Sequence, residues 1–342
     1  MTDNEIAMLA HLPSFIGQQY IAVGDGHELY VAEYGRKGAT PVVYLHGGPG
    51  AGCQLNELAL FESCDLHVIF IDQRGSGRSR SVDKLANNNV NTLVEDIDLV
   101  RRALGIHRWY LVGGSSGAML GWLYSGIYPQ YVIAQVYWGM FIPSHQGVEW
   151  LLSEKGAGAK QPEQYLTFQN QVNSHSRKPQ QLIADYDPLI NQHDMSACAA
   201  WINWELALAM PNAQLVQLEP RHVSMAQISH HFAKHCYFNG QMMMTMVKDK
   251  VKARTVIIQG EYDNVCPSHI LEQYLETVCQ LNLRYHKVKQ AYHSLADPQL
   301  LSKVKGAIQA MVNSKRQTNV KLTTTDYYAE SMHSEDCLLS GI

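Results

Sequence analysis

Apolar residues along this chain recur in two alternating patterns. Short unbroken runs of β-branched and aromatic residues, in PVVYLHGG, LHVIFIDQRGSG, HRWYLVGGSSG, YVIAQVYWG and ARTVIIQG, read as buried strands halted by glycine or polar residues. Between them lie segments with helical spacing. LVEDIDLVRRALGI follows Thr92, which stands at capping-box spacing from Glu95, and the helix in SGAMLGWLYSGIYPQ ends before Pro129. Strands alternating with helices predict a mostly parallel sheet covered on both faces. Ahead of it, YIAV and ELYVAEY flank Gly24-Asp25-Gly26 and predict a hairpin.

The alternation lapses between about Phe141 and Lys250. Helical stretches such as MSACAAWINWELALAM and HVSMAQISHHFAKHCYF fill this span, and strand signals return only with ARTVIIQG. The helix SHILEQYLETVCQ, the strand LRYHKVK and the helix QLLSKVKGAIQAMVN follow. The predicted organisation is an α/β core of residues 1–140 and 251–315, an inserted helical cap over 141–250, and a polar tail over 316–342. A chain of 342 residues accommodates one large domain with such an insertion.

Charge and composition narrow the function classes. Twenty-seven basic against thirty-one acidic residues give a net charge of −4, so no nucleic acid or anionic membrane partner is expected. No run approaches the roughly 20 apolar residues that a bilayer span needs. The start, MTDNEIAMLAHLPSF, lacks the basic and apolar regions of a signal peptide, and the seven cysteines form no CxxC pair. Reduced thiols and a cytoplasmic location are the expectation.

Gly113-Gly114-Ser115-Ser116-Gly117 fits G-x-S-x-G with Ser115 at its centre, between a strand and a helix. A nucleophile elbow needs small neighbours because its turn is crowded, and it lifts the central hydroxyl above the sheet. Serine needs a base, and the base needs an orienting acceptor. Asp263 follows the strand TVIIQG and His293 follows the last strand, in the chain order Ser, Asp, His of α/β-hydrolases. The oxyanion requires pre-aimed N–H donors. Gly48, in the loop His46-Gly47-Gly48-Pro49-Gly50, and Ser116 are the expected pair, with Gly47 the near alternative. His46 is expected to shape its loop, Asp72 and Asp297 to accept loop hydrogen bonds, and His230, His231 and His235 to pack within the cap. Neither glycine loop has Walker lysine spacing or a complete G-x-G-x-x-G pattern, which argues against nucleotide binding.

Six segments in order, YLHGGPG, DQRGSGRS, GGSSG, WINWE, GEYDNVCP and AYHS, resemble the proline iminopeptidases, a branch of the α/β-hydrolases, from about residue 18 to about 313. The resemblance implies an α/β-hydrolase fold with a helical cap and release of an N-terminal proline without a metal or organic cofactor. It implies the roles of nucleophile, base and orienting acid for Ser115, His293 and Asp263. It also implies that Glu205, at the end of WINWE, receives the substrate's free α-amino group. The chain departs from the family pattern at four places. Ser116 replaces the tryptophan of GGSWG, Ser229 replaces a second amino-end glutamate, Glu261 replaces an arginine, and Tyr292 replaces a glycine. Loss of the second acid weakens amino-end recognition by about 1–3 kcal/mol unless another acid substitutes. The expected function is a serine aminopeptidase acting on short peptides with a free N-terminus. The alternatives are an esterase or amidase of small acyl substrates, and a non-catalytic binding protein.

Overall fold

The computed structural model describes residues 12–172, 178–210, 219–279 and 282–317. The start of the chain that bears on a signal peptide, residues 1–11, and most of the predicted tail, residues 318–342, lie outside the described residues. Nine strands form one sheet: β1 (Phe15–Gly24), β2 (His27–Gly35), β3 (Thr40–Leu45), β4 (Leu66–Ile71), β5 (Arg80–Ser81), β6 (Trp109–Gly114), β7 (Val132–Trp138), β8 (Arg254–Gly260) and β9 (Leu283–Val288). Their order is β1-β2-β4-β3-β6-β7-β8-β9, with the two-residue β5 paired to β2. The hairpin β1–β2 and the pair β2–β4 are antiparallel, and every pairing from β4 to β9 is parallel. All residues of β4 and β6 are buried, as expected for strands with both faces covered. The edge strand β9 is half-exposed and carries Arg284 and Lys287, which discourage edge-to-edge pairing.

Helices α1 (Val90–Ala103), α2 (Ser116–Ile127), α9 (Ser268–Leu275) and α10 (Pro298–Gln317) belong to the core. The cap of α1 differs from the sequence expectation. Asn89 is the N-cap, its side chain accepts from Thr92 N at 3.2 Å, and the Thr92 hydroxyl accepts from Asn89 N at 3.2 Å. Thr92 thus closes a box opened one turn earlier, and Glu95 takes no part in it.

Between β7 and β8, among the described residues, lie six helices: α3 (His145–Leu152), α4 (Pro162–Asn170), α5 (Pro179–Asn191), α6 (Met195–Ala209), α7 (Pro220–Lys234) and α8 (Gly240–Val247). Trp201 and Trp204 lie three residues apart on one buried side of α6, where Phe168 and Tyr186 meet them at centroid distances of 5.3–5.6 Å. This aromatic packing fixes the rotation of α6 and leaves Glu205, one turn beyond Trp201, at the edge of the cap's core. His231 Nε2 meets Asn88 O at 3.0 Å and Lys84 donates to Ser224 at 2.7 Å, fastening α7 to the sheet domain. Ser294 N donates to Ala209 O at 3.1 Å, joining the end of α6 to the loop after β9. No helix among the described residues is long and apolar enough to cross a membrane.

Candidate active site

Ser115 sits where β6 turns into α2, with φ 56° and ψ −126°. A non-glycine residue in this region costs on the order of 1–3 kcal/mol, which the surrounding packing must hold. The glycines on either side permit the turn. A Cβ on Gly114 would lie 2.2 Å from the Trp138 indole, and one on Gly117 would lie 2.1 Å from Leu45 O. Backbone hydrogen bonds from Ser115 N to Trp138 O, at 3.0 Å, and from Phe141 N to Ser115 O, at 3.3 Å, clamp the turn to the end of β7.

His293 and Asp263 are brought together from two loops. His293 Nδ1 donates to Asp263 Oδ2 at 2.7 Å, which leaves Nε2 as the nitrogen available for proton transfer. The carboxylate is fully buried and fully occupied. Its Oδ1 accepts from Val265 N at 3.0 Å and Cys266 N at 2.7 Å, and its Oδ2 also accepts from Gln259 Nε2 at 2.9 Å. Gly139 leaves room for the pair, since a Cβ there would lie 2.7 Å from His293 Nδ1. Asp297 accepts from Tyr292 N at 3.0 Å and so braces the histidine loop, as expected.

Gln259 was not singled out from the sequence, although one amide in the apolar run TVIIQG was the available signal. It is completely buried, donates to Asp263 and to Cys266 O, and its Oε1 has no hydrogen-bond partner. Gln259→Leu is expected to lower kcat about tenfold through loss of a donor to a charged group, and to lower Tm because Asp263 and Cys266 O both lose a buried donor. Steady-state kinetics and a thermal melt check this. A falling Tm with kcat intact would give Gln259 a packing role only.

The expected oxyanion loop also lies beside Ser115. Gly47, Gly48, Ser115 and Ser116 all line one cavity of about 530 Å³ together with His293 and Glu205. Gly47 packs directly on the serine, its Cβ position being 3.1 Å from Ser115 Cβ. At Gly48, with φ 116°, a Cβ would lie 2.8 Å from both Gly50 N and Ala51 N. His46 shapes this loop from beneath: its Nε2 accepts from Gln73 N at 3.0 Å, and burial lowers its pKa, which favours the neutral ring. Asp72 anchors the neighbouring turn by accepting from Cys53 N at 2.7 Å and Arg78 N at 2.8 Å. Ser116 begins α2, where first-turn N–H groups lack intrahelical acceptors. The residue is 3% exposed and its buried hydroxyl is unpaired, in the place where the resembling family's pattern has an indole.

Glu205 lines the cap side of the cavity. Its Oε1 accepts from Trp201 Nε1 at 3.0 Å and from the Ser229 hydroxyl. Ser229, where the resembling family's pattern has a second acid, thus donates to Glu205. Burial pushes the Glu205 carboxyl up to about 7, against the opposing effect of those two donors. His230, by contrast, is buried against Ile183 O at 2.9 Å, away from the cavity lining, as expected for a packing histidine. Among the described residues, the polar side-chain atoms of Asp263, Cys266 and His293 all lie within 4.8 Å of one another. This trio is poorly disposed to hold a metal: the carboxylate and imidazole are committed to each other, and burial keeps the Cys266 thiol protonated.

Residues 40–298 match the family described as the alpha/beta hydrolase fold. Over 304 residues the chain is 31% identical to the proline iminopeptidase of Neisseria meningitidis, covering 85% of this chain and 94% of that relative. The chain belongs to the proline iminopeptidase family. Solved structures share the fold of this family member. The proline iminopeptidase of Mycobacterium smegmatis superposes with a TM-score of 0.58 at 17% identity, covering 88% of this chain and 99% of that one. A haloalkane dehalogenase variant from Bradyrhizobium elkanii reaches 0.63 at 15% identity, covering 90% and 100%. At such identities likeness speaks for the fold alone. This proline iminopeptidase family member is a serine hydrolase, and the non-catalytic alternative gives way to an enzyme. Two of its departures from the family pattern lie near the histidine loop. Glu261 accepts from Gln290 N at 2.8 Å, and the Tyr292 ring packs on Tyr262 at 5.8 Å.

Proposed function

We propose that this enzyme is a cytoplasmic serine aminopeptidase that releases the N-terminal residue, with proline as the preferred one, from short peptides. The observation that carries this reading is the placement of one part-buried carboxylate, Glu205, in the cavity that also holds Ser115 and His293. A substrate ammonium entering that apolar surrounding needs an opposite charge, and only a free chain end supplies it at the first residue. Six described cysteines are unpaired thiols, which accords with a reducing compartment.

In the proposed reaction Ser115 Oγ attacks the first peptide carbonyl while His293 Nε2 takes its proton, and Asp263 holds the imidazole in the required tautomer. The amides of Ser116 and Gly48, with Gly47 beside them, receive the developing oxyanion. Collapse transfers the proton from His293 to the departing amine. Water then attacks the acyl-enzyme, His293 takes the water's proton and returns it to Ser115, and the amino acid leaves.

Arylamides of proline, alanine and leucine, each compared with its N-acetylated form and with simple acyl esters, test the reading. Free-amine arylamides are expected to have kcat/KM values on the order of 10²-fold above the blocked ones. Equal rates on blocked substrates would favour the esterase or amidase alternative. Ser229 in place of an acid is the observation on that side, because among the described residues Glu205 is then the one cap carboxylate that lines the cavity.

A further inference from the structure

Among the described residues, two acids line the cavity, and they stand on different walls. Glu205 belongs to the cap wall, with Leu206, Met225 and Tyr237. Glu57, in the 3₁₀ helix Leu55–Phe61, belongs to the core wall with Tyr44 of β3, Leu60, and Leu295 just beyond His293. Its carboxylate is held rather than free to swing: Oε1 accepts from the Tyr44 hydroxyl at 2.5 Å and Oε2 from Gln54 N at 2.7 Å. A carboxylate offers about four acceptor positions, so two remain for a ligand. Among the described residues, no lysine or arginine lines the cavity. The neighbouring guanidinium of Arg78 pairs with Asp72 at 2.8 Å.

The direction of the substrate decides what Glu57 meets. With the amino end at Glu205 and the scissile carbonyl at Ser115, the departing amine must face His293, which protonates it. Residues that follow His293 line the same wall as Glu57. We propose that Glu57 binds a cation on the departing part of the substrate, making peptides with lysine or arginine as the second residue the preferred class. This inference rests on the aminopeptidase reading above. Burial raises the Glu57 carboxyl to about 7, more than its hydrogen bonds from Gln54 and Tyr44 lower it and with Asp72 adding to the rise. A bound cation supplies the charge that favours its ionised form.

The test compares prolyl-lysine amide with prolyl-norleucine amide, which keeps the aliphatic stem and removes the charge. Glutamine at position 57 preserves both contacts, its oxygen accepting from Gln54 N and its NH₂ donating to the Tyr44 oxygen. The lysine-to-norleucine ratio of kcat/KM is expected to be about 10 in the parent at about pH 8 and to fall to about 1 in E57Q. A purely structural role would lower both rates together and leave the ratio alone; an unchanged ratio, or a parent ratio of 1, overturns the proposal. Calorimetric titration of S115A and S115A/E57Q with the same peptides reads the preference without turnover. Glu57-dependent tighter binding of the lysine peptide in the absence of any cleavage by the parent would count against the aminopeptidase reading alone. Equal Kd values in all cases would overturn the role of Glu57.

Discussion

Replacing Ser115 with alanine is expected to lower kcat/KM toward a free-amine prolyl arylamide on the order of 10⁴- to 10⁶-fold. The magnitude follows from the way the three groups depend on one another. His293 and Asp263 form a 2.7 Å pair whether or not the serine is present, but without Oγ there is no atom to carry the acyl group. Alanine should accept the turn no worse than serine, because the φ of 56° is imposed by the clamp to Trp138 O and Phe141 N. S115A should therefore melt close to the parent, which separates lost chemistry from lost folding. A serine-directed phosphonate should label the parent at Ser115 and leave S115A untouched. A variant retaining more than a tenth of parental turnover would require another nucleophile.

The second large effect is expected at Glu205. E205Q keeps an oxygen for Trp201 Nε1 and Ser229 and removes the charge, so free-amine substrates should lose roughly 10²-fold in kcat/KM, with blocked substrates far less affected. The pH dependence has a definite sign. A carboxyl pushed up to about 7 is ionised above that value and neutral below it, and only the ionised form attracts an ammonium. The ratio of free-amine to blocked kcat/KM in the parent should fall toward tenfold per unit as pH drops below about 7, and E205Q should flatten it. Stability moves with the same proton. Because the native value lies above the ordinary 4.5, the contribution of Glu205 to stability is full below about 4.5 and is lost as pH rises through about 7. E205Q should gain in Tm over the parent at pH above 7 and lose that advantage in acid. A Tm difference independent of pH would mean that the carboxyl is not perturbed by burial.

Much of the fold was legible because its signals are local. LHVIFI and WYLVGG are continuous apolar runs whose burial on both faces needs no distant information, and each loop that follows them begins with residues too small or too polar to continue a strand. The elbow was readable because Gly113 to Gly117 are consecutive, although the atoms that exclude a side chain at Gly114 and Gly117, the Trp138 indole and Leu45 O, lie on neighbouring strands. What escaped depended on contacts across the chain. Glu57 looks like a surface residue of a short helix until Tyr44, thirteen positions earlier, is placed beneath it. The support Ser229 gives Glu205 spans 24 positions and two cap helices. Asn89 displaced the expected cap of α1 because a box can be closed by a threonine hydroxyl as well as by a glutamate.

The hydrogen bond from Ser294 N to Ala209 O joins the helix that carries Glu205 to the residue after His293. For protein engineering this makes the cap a poor interchangeable part. A cap transplanted from a relative is expected to place that carbonyl differently if its helix ends at another point, and to shift the loop that carries His293 with it. Grafts intended to exchange first-residue preference should therefore carry the segment from Ala291 to Asp297 along with the cap helices, so that the donor and acceptor arrive as a matched pair.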